Sequence, residues 1–351
     1  MRQIDYQYYA TLSTTHGDQI AEVQLDIDWI PALRWAEFEH LQEGTNIACS
    51  AAPVIEPIWE PESTPPFISG AMVYHGADRT EGSRFPLGYF SAAISSASSQ
   101  LLGSGKLSPG QSFSYQIYAL ADKQPREPAD TGVDIVAVDG MPSIEQAELA
   151  SLLASAETDV GIDSGADLAG LQSVNDAMPV LVSRSVLDEA RDLGQSAGDV
   201  ETGGILLGKI LRDGNGTLFS MVTAQILAEH TRATRESLSF TPATWASVDA
   251  AINLRASDEI ALGWWHSHPF FCRQCSPANR AVCPLAVPMF SAADRALHRE
   301  IFQKPWSIGL LLSFLGQPQP SYNLFAWNHG QIEEVNFSIL PEMASTNGEH
   351  P

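Results

Sequence analysis

A stretch poor in large apolar side chains divides the chain and limits how it can fold. Residues 158–178 are rich in Gly, Asp, Ser and Ala, a composition typical of linkers. The 351 residues also exceed the length of an ordinary single domain. We therefore predict an N-terminal domain over residues 1–157, a linker, and a C-terminal domain over residues 179–340. The alternative is a surface loop within one large domain.

Charge is distributed unevenly between the two halves. Residues 1–175 carry 24 acidic and 7 basic side chains, whereas residues 176–351 carry 18 and 12. The net charge of -23 disfavours binding to nucleic acid, whose phosphates need Lys and Arg, or to an anionic membrane. It favours a protein partner of basic character. Since no apolar run is long enough for a bilayer or a signal segment, we expect a cytoplasmic protein.

The N-terminal domain is predicted to be rich in β-strands. Residues 3–13, 19–28 and 112–120 carry alternating apolar side chains, the period of a half-buried strand. The proline-rich residues 52–66 predict an irregular excursion. Ser143 opens a capping-box pattern, which predicts a helix that ends near residue 156.

The C-terminal domain alternates strands and helices, which predicts an α+β or α/β fold with a mixed sheet flanked by helices. Apolar runs predict strands at residues 180–182, 201–211, 218–227, 259–266, 306–315 and 322–327. Helices are predicted at residues 185–193, at 239–256 and from Ser291 onward. Gly194 is predicted to end the first of these helices.

Two histidines, in His266-Ser-His268-Pro, follow an apolar strand. Side chains at i and i+2 lie on the same side of an extended segment, so both imidazoles could reach one cation. Taken alone, so short a motif fits two surface histidines equally well. Trp264 and Trp265, which precede the pair, are interpreted as packing residues on opposite faces of the strand.

Three further side chains could complete a catalytic metal site. A catalytic zinc ion takes three protein ligands and leaves one position for water. Asp294, in the first turn of the next helix, is a candidate third ligand, and Ser291 is a candidate helix N-cap. The water needs a proton acceptor, for which Glu201 at the start of a glycine-containing strand is the candidate. The alternatives are an ordinary N-cap pair and an ordinary acid at a strand end.

Together, Glu201-Thr-Gly-Gly, His266-Ser-His-Pro and Ser291-Ala-Ala-Asp294 resemble the signature of the JAMM (MPN+) zinc metalloprotease family over about residues 179–335. The resemblance implies a JAB/MPN domain with cytidine-deaminase-like layers. It implies zinc bound by His266, His268 and Asp294, Glu201 as general acid/base, and Ser291 as oxyanion support. It also implies hydrolysis of isopeptide bonds at the C-terminus of a ubiquitin-like protein. The implied partners are E1-like and E2-like conjugation enzymes, in a bacterial antiphage (antiviral defence) system.

The spacing departs from the family's pattern after the histidines. Counting strictly from His268 places Ser276 and Asn279 at the serine and aspartate positions, and asparagine would be a weak, neutral zinc ligand. Ser291 and Asp294 restore the pair after 15 additional residues. We prefer the longer register because it supplies a charged ligand and a helix start.

The additional residues lie in an insertion, residues 270–290, that carries a second candidate metal site. Cys272, Cys275 and Cys283 are close enough in sequence to bind a structural zinc ion, which usually takes four ligands. The candidates for the fourth ligand are His230, His298, Cys49 and a group on another chain. The alternative is three reduced cysteines in a loop.

Two other functions stay open at this point. A non-catalytic scaffold of the same fold would hold partners, but a scaffold does not need the intact set of Glu201, His266, His268 and Asp294. A zinc amidase that acts on a small peptide or amide would use the same residues.

Overall fold

The structure is a computed structural model that describes residues 6–43, 54–61, 63, 66–74, 79, 81–121, 144–147, 149, 152, 177–255, 257–269, 288–314 and 319–341. Internal contacts divide the chain into two compact units, Met1–Val138 with His329–Gln331, and Asp139–Asn328 with Ile332–Pro351. The division therefore falls earlier than the predicted boundary at residue 157. Most of the predicted linker lies outside the described residues.

In its described residues the first unit contains two three-stranded antiparallel sheets and two α-helices. Its strands are β1 (Tyr6–Ser13), β2 (Gln19–Gln24), β3 (Val54–Trp59), β4 (Ile68–Tyr74), β5 (Gly82–Pro86) and β6 (Ser114–Ala121). The strand orders are β2-β1-β6 and β3-β4-β5. Its helices are α1 (Ile30–Gln42) and α2 (Ser91–Gly103), and a 3₁₀ turn at Leu87–Phe90 precedes α2. The strands predicted near residues 3–13, 19–28 and 112–120 are all present.

Strand β3 corrects the prediction of an irregular excursion at residues 52–66. Although Pro57 lies within it, β3 pairs with β4 over its whole length. A proline removes one backbone donor, which an edge strand tolerates because its outer side makes no ladder hydrogen bonds. β3 is such an edge strand.

Aromatic side chains form much of the core of the first unit. Trp29 stacks on Tyr89 with ring centroids 5.5 Å apart, and Tyr8 packs against Phe90 at the same distance. Phe85 meets Tyr89 edge-on at 5.4 Å. Large aromatic contacts of this kind contribute much of the burial that stabilises a small domain.

The second unit is built on a mixed nine-stranded sheet. Its strands are β7 (Ile144–Gln146), β8 (Val180–Ser183), β9 (Gly203–Arg212), β10 (Leu218–Leu227), β13 (Ile260–His268), β14 (Ile308–Ser313), β15 (Ser321–Asn328), β16 (Gln331–Val335) and β17 (Ser338–Leu340). The main order is β16-β15-β14-β13-β9-β10-β8-β17, and β7 pairs with β9. A separate small hairpin joins β11 (Arg232–Ala233) to β12 (Leu238–Ser239).

The helices of this unit whose bounds fall within the described residues are α3 (Arg184–Ala197), α4 (Pro242–Arg255) and α5 (Ala292–Ile301). Parallel pairs, such as β13 with β14, occur beside antiparallel ones, such as β13 with β9. The predicted mixed α+β class is thereby confirmed. No helix among the described residues is long and apolar enough to cross a lipid bilayer.

Two predictions of local structure in this unit were wrong. Ile144–Gln146 is a strand paired in parallel with β9, so the start of the helix predicted from the capping-box pattern at Ser143 was wrong, although Leu149 and Leu152 further along the chain are helical. Helix α3 continues past Gly194 to Ala197 and is followed by the C-cap residue Gly198, whose φ is +65°. A side chain at Gly194 would collide with the ring of Phe314, so this glycine permits close packing and does not stop the helix.

Candidate metal centre

Strand β13 brings two buried imidazoles together at its end. His266 and His268 lie on the same face of the strand, as their i, i+2 spacing predicts. Their Nε2 atoms are 3.0 Å apart. Because β13 runs between β9 and β14 in the middle of the sheet, neighbouring backbone fixes the direction of both side chains.

The start of helix α5 supplies the carboxylate. The Ser291 hydroxyl accepts a hydrogen bond from the Asp294 backbone N–H (3.1 Å), and the Ser291 N–H donates to Asp294 Oδ2 (2.7 Å). This capping box holds the Asp294 side chain in one direction. The serine and aspartate of the longer register therefore stand next to the histidines, whereas Ser276 and Asn279 lie outside the described residues.

The separations between these donor atoms fit a small divalent cation. His266 Nε2 is 3.3 Å from Asp294 Oδ1, and His268 Nε2 is 3.6 Å from Asp294 Oδ2. Ligand atoms bound about 2.0–2.1 Å from a tetrahedral zinc ion lie about 3.3 Å from one another. Two imidazoles and a carboxylate, all within 4.8 Å of one another, are also the donor types that zinc accepts.

Hydrogen bonds between β13 and the segment before β9 position Glu201. The Thr202 N–H donates to Ser267 Oγ (3.1 Å), and the Ser267 N–H donates to the Thr202 carbonyl (2.8 Å). The Glu201 N–H donates to the carbonyl of Thr234 (2.8 Å). As a result, the buried Glu201 side chain places Oε1 3.7 Å from His268 Nε2.

The two glycines after Glu201 allow the strands to approach closely. A Cβ atom at Gly203 would collide with the carbonyl oxygen of Trp265, and one at Gly204 would collide with that of Ile226. Any larger residue would push β9 away from its neighbours. The glycines therefore contribute to the distance between Glu201 and the histidines.

The two carboxylates of the site have opposite pKa shifts. Burial raises the pKa of Glu201 to about 8, and the negative charges of Asp294 and Glu236 add to this effect. Burial also opposes ionisation of Asp294, but hydrogen bonds to His266 and His268 outweigh it and hold the Asp294 pKa well below its usual range. One protonated and one ionised carboxyl group side by side are typical of acid–base chemistry.

Burial lowers the pKa of His266, although hydrogen bonding to Asp294 acts in the opposite direction. The neutral imidazole is the form that binds a metal ion. The protonation states favoured by the protein therefore match those that a cation site needs: a neutral histidine and an ionised aspartate.

Two supporting features of the site were not predicted from the sequence. One is the pair of hydrogen bonds that Ser267 makes with Thr202. The other is a hydrogen bond from Trp264 Nε1 to His298 Nδ1 (3.1 Å), although His298 was predicted only as a candidate ligand of the cysteine site. The i, i+4 spacing of Asp294 and His298 on one helix was the available signal.

The second predicted metal site falls outside the described residues. Cys272, Cys275 and Cys283, as well as Cys49, are not among them. Of the histidines proposed as a fourth ligand, His298 is buried and bonded to Trp264. A structural zinc ion in the insertion therefore stays a prediction.

Comparison with known proteins identifies no family for this chain. No protein-family model matches it, and no curated protein does. Among solved structures, it is similar to the solution structure of protein DSY2949 from Desulfitobacterium hafniense, with 20% sequence identity and a TM-score of 0.34. That match covers 49% of this chain and 99% of the other. The function therefore has to be argued from the residues of this chain.

Proposed function

We propose that the second unit is a zinc-dependent isopeptidase of the JAMM type, with a JAB/MPN fold, that acts at the C-terminus of a ubiquitin-like protein. The observation that carries the proposal is the arrangement of Glu201 beside the convergent His266, His268 and Asp294 side chains. The order of these residues along the chain, which resembles the JAMM signature, supports it. We place the protein in the cytoplasm, where ubiquitin-like conjugates are found.

In this proposal His266, His268 and Asp294 hold the zinc ion. Once bound, zinc supplies Lewis-acid polarisation of the carbonyl and a more acidic water. Glu201 would accept a proton at Oε1 from the attacking water and deliver it to the leaving lysine amine. Its pKa of about 8 suits both directions of transfer near neutral pH, because neither form of the carboxyl group is strongly disfavoured.

Ser291 is proposed to stabilise the developing oxyanion. The Ser291 oxygen accepts a hydrogen bond from the Asp294 backbone N–H, so the Ser291 hydroxyl hydrogen can be donated to a substrate. One donor of this kind contributes about 3 kcal/mol to transition-state stabilisation. The same side chain thus serves as helix cap and as substrate contact.

The proposed substrate is the glycine-rich tail of a ubiquitin-like protein, bound in an extended conformation along a strand edge. The corresponding biological setting is a conjugation system with E1-like and E2-like enzymes, of the kind used in bacterial antiphage defence. The acidic N-terminal half would then bind a basic surface on one of these partners.

Replacing Glu201 by Gln tests the proposal directly. We expect hydrolysis of ubiquitin-like conjugates to fall by about 10²–10⁴-fold, because the proton acceptor is lost. Zinc content should be unchanged, because Glu201 is not a ligand. Glu236→Gln is the matched control: this exposed acid acts on Glu201 only through its charge, so turnover should change little.

The outcomes separate the proposal from its alternatives. Full turnover by Glu201→Gln would contradict the assigned role. Hydrolysis of short amides without any ubiquitin-like substrate would favour the small-molecule amidase. A wild-type protein without zinc at the histidines would favour the non-catalytic scaffold.

A further inference from the structure

A hydrogen bond between two buried side chains joins the two elements that carry the candidate metal ligands. Trp264 lies on β13, two residues before His266, and its indole N–H donates to Nδ1 of His298 at 3.1 Å. His298 lies on α5, four residues after Asp294. The bond therefore connects the ligand strand to the ligand helix at a second point, behind the ligands themselves.

The indole of Trp264 also lies flat against the ring of His266. The two ring centroids are 4.5 Å apart and the planes differ by 10°. The indole is also nearly parallel to the ring of Phe302, with the ring centroids 6.0 Å apart. A rotation of the indole would therefore require the His266 imidazole to move.

The stack matters because, within the part of the chain that the structure describes, the second ring nitrogen of His266 does not have the hydrogen bond that usually supports a metal-binding histidine. Such a ligand normally donates its second ring N–H to a carbonyl or carboxylate, which fixes the ring orientation. Among the described residues, Nδ1 of His266 has no hydrogen-bond partner. Contact with Trp264 therefore replaces the hydrogen bond that would otherwise orient this ring.

His298 is suited to hold the indole in place. An indole N–H can only donate, so Nδ1 of His298 must be the acceptor. Burial lowers the pKa of His298 to about 3, which keeps the imidazole neutral and its acceptor available near neutral pH. Contacts with Phe302 (5.9 Å) and Trp327 (5.5 Å) restrain the imidazole further.

We propose that Trp264 and His298 are positioning residues of the metal centre: together they hold the His266 ring where its Nε2 faces Asp294. The inference rests on the proposed metal centre but not on the identity of the substrate. Loss of a group that orients a metal ligand typically weakens metal binding by about 10–100-fold.

The test compares zinc affinity and the absorption spectrum of the cobalt(II)-substituted protein among four single variants and one double variant. Trp264→Phe keeps a ring but removes the donor, His298→Leu removes the acceptor, and His298→Asn keeps an acceptor. Trp265→Phe is the matched control, because this adjacent buried indole donates to Gln225 Oε1 (3.1 Å) and has no bond to the ligand helix. Zinc bound elsewhere is measured with a His266→Ala/His268→Ala protein and subtracted.

We expect Trp264→Phe and His298→Leu to weaken zinc binding by about 10-fold or more. Both should also shift the cobalt(II) bands, which report ligand geometry. His298→Asn should recover most of the affinity. Trp265→Phe should stay within about twofold of wild type, because it leaves the bond between Trp264 on β13 and His298 on α5 intact. The double variant Trp264→Phe/His298→Leu should lose no more than either single variant, since both remove the same bond.

Unchanged zinc affinity and cobalt(II) bands in Trp264→Phe and His298→Leu would overturn the inference. So would an equal loss in Trp265→Phe, because the effect would then be general destabilisation. If His298→Leu does not fold, Trp264→Phe tests the same bond from the other side. A wild-type protein that binds no zinc at the histidines would instead refute the metal centre itself, and the inference with it.

Discussion

The two units differ in the polar side chains that they bury. Among the described residues, the first unit buries one polar or charged side chain, Ser83. The second unit buries twelve, including Glu201, His266 and Asp294. Burying polar groups costs free energy unless they are paired. The first unit is therefore built chiefly for packing, whereas the second retains an ionisable cluster that packing alone does not require. Such clusters are typical of functional sites.

The largest predicted effect is loss of the metal, which tests whether the buried polar cluster of the second unit is a functional site. We expect His266→Ala/His268→Ala to bind one zinc equivalent fewer than wild type and to lose hydrolysis, because two of the three proposed ligands are gone. Metal analysis of the purified proteins measures the difference. His16→Ala, an exposed histidine of the first unit, is the control and should keep full zinc content.

A core substitution in the first unit should have the opposite result: lower stability and unchanged zinc binding. Phe90 is fully buried against Tyr8 and Trp29, so Phe90→Ala should destabilise its unit by about 3–5 kcal/mol. Denaturant unfolding measures this loss. Zinc binding should not change, because these contacts lie within the first unit. Loss of zinc in Phe90→Ala would show that the polar cluster depends on the aromatic core.

The pH dependence of stability gives a smaller effect. In the metal-free protein the Glu201 pKa is raised from 4.5 to about 8 on folding. A raised carboxyl pKa contributes stability that is complete below about pH 4.5 and is lost as the pH rises through about 8. Melting temperatures measured with a chelator should therefore fall between about pH 5 and 9 for wild type relative to Glu201→Gln. Parallel curves for the two proteins would contradict the raised pKa.

The contribution of Asp294 to the pH dependence of stability has the opposite sign. Its pKa is lowered on folding, so its contribution is present above the pKa of the unfolded chain and is lost only in acid. The two carboxylates therefore affect stability in different pH windows. The decline above about pH 5 belongs to Glu201 and not to its neighbour.

Removal of the helix cap should have the smallest effect. Ser291→Ala should cost about 1 kcal/mol of stability, because the Asp294 N–H loses its acceptor. Ser291→Thr should restore it, since threonine also caps helices. Thermal unfolding checks the stability, and a turnover loss larger than the loss of zinc affinity would indicate that the hydroxyl also contacts the substrate.

The sequence predicted the elements whose pattern is local. Strand β10 was predicted at residues 218–227, its observed bounds, because apolar residues fill it and a Gly-rich turn precedes it. Helix α5 was predicted from its capping pair at Ser291. The proximity of Asp294 to His266 was also anticipated, because a catalytic zinc ion needs a third ligand and because the residues resemble a family signature, and not from periodicity.

Other features depend on tertiary contacts that one sequence does not display. Helix α1 carries apolar residues without a clear helical stripe and was missed, although Trp35 and Phe38 are buried in it. Strand β7 was predicted as a helix because only pairing with β9 makes it a strand. The bond from Trp264 to His298 joins residues 34 positions apart, and neither residue type indicates the other.

The capping box at Asp294 has a consequence for how occupancy of the site could be observed. The carboxylate that faces the histidines is also the one that restrains the first turn of α5. A cation bound to it would tether that turn, and its removal would let the backbone amides there open more often. Slower deuterium uptake by the start of α5 on addition of metal would then report loading at single-residue level, without any substrate.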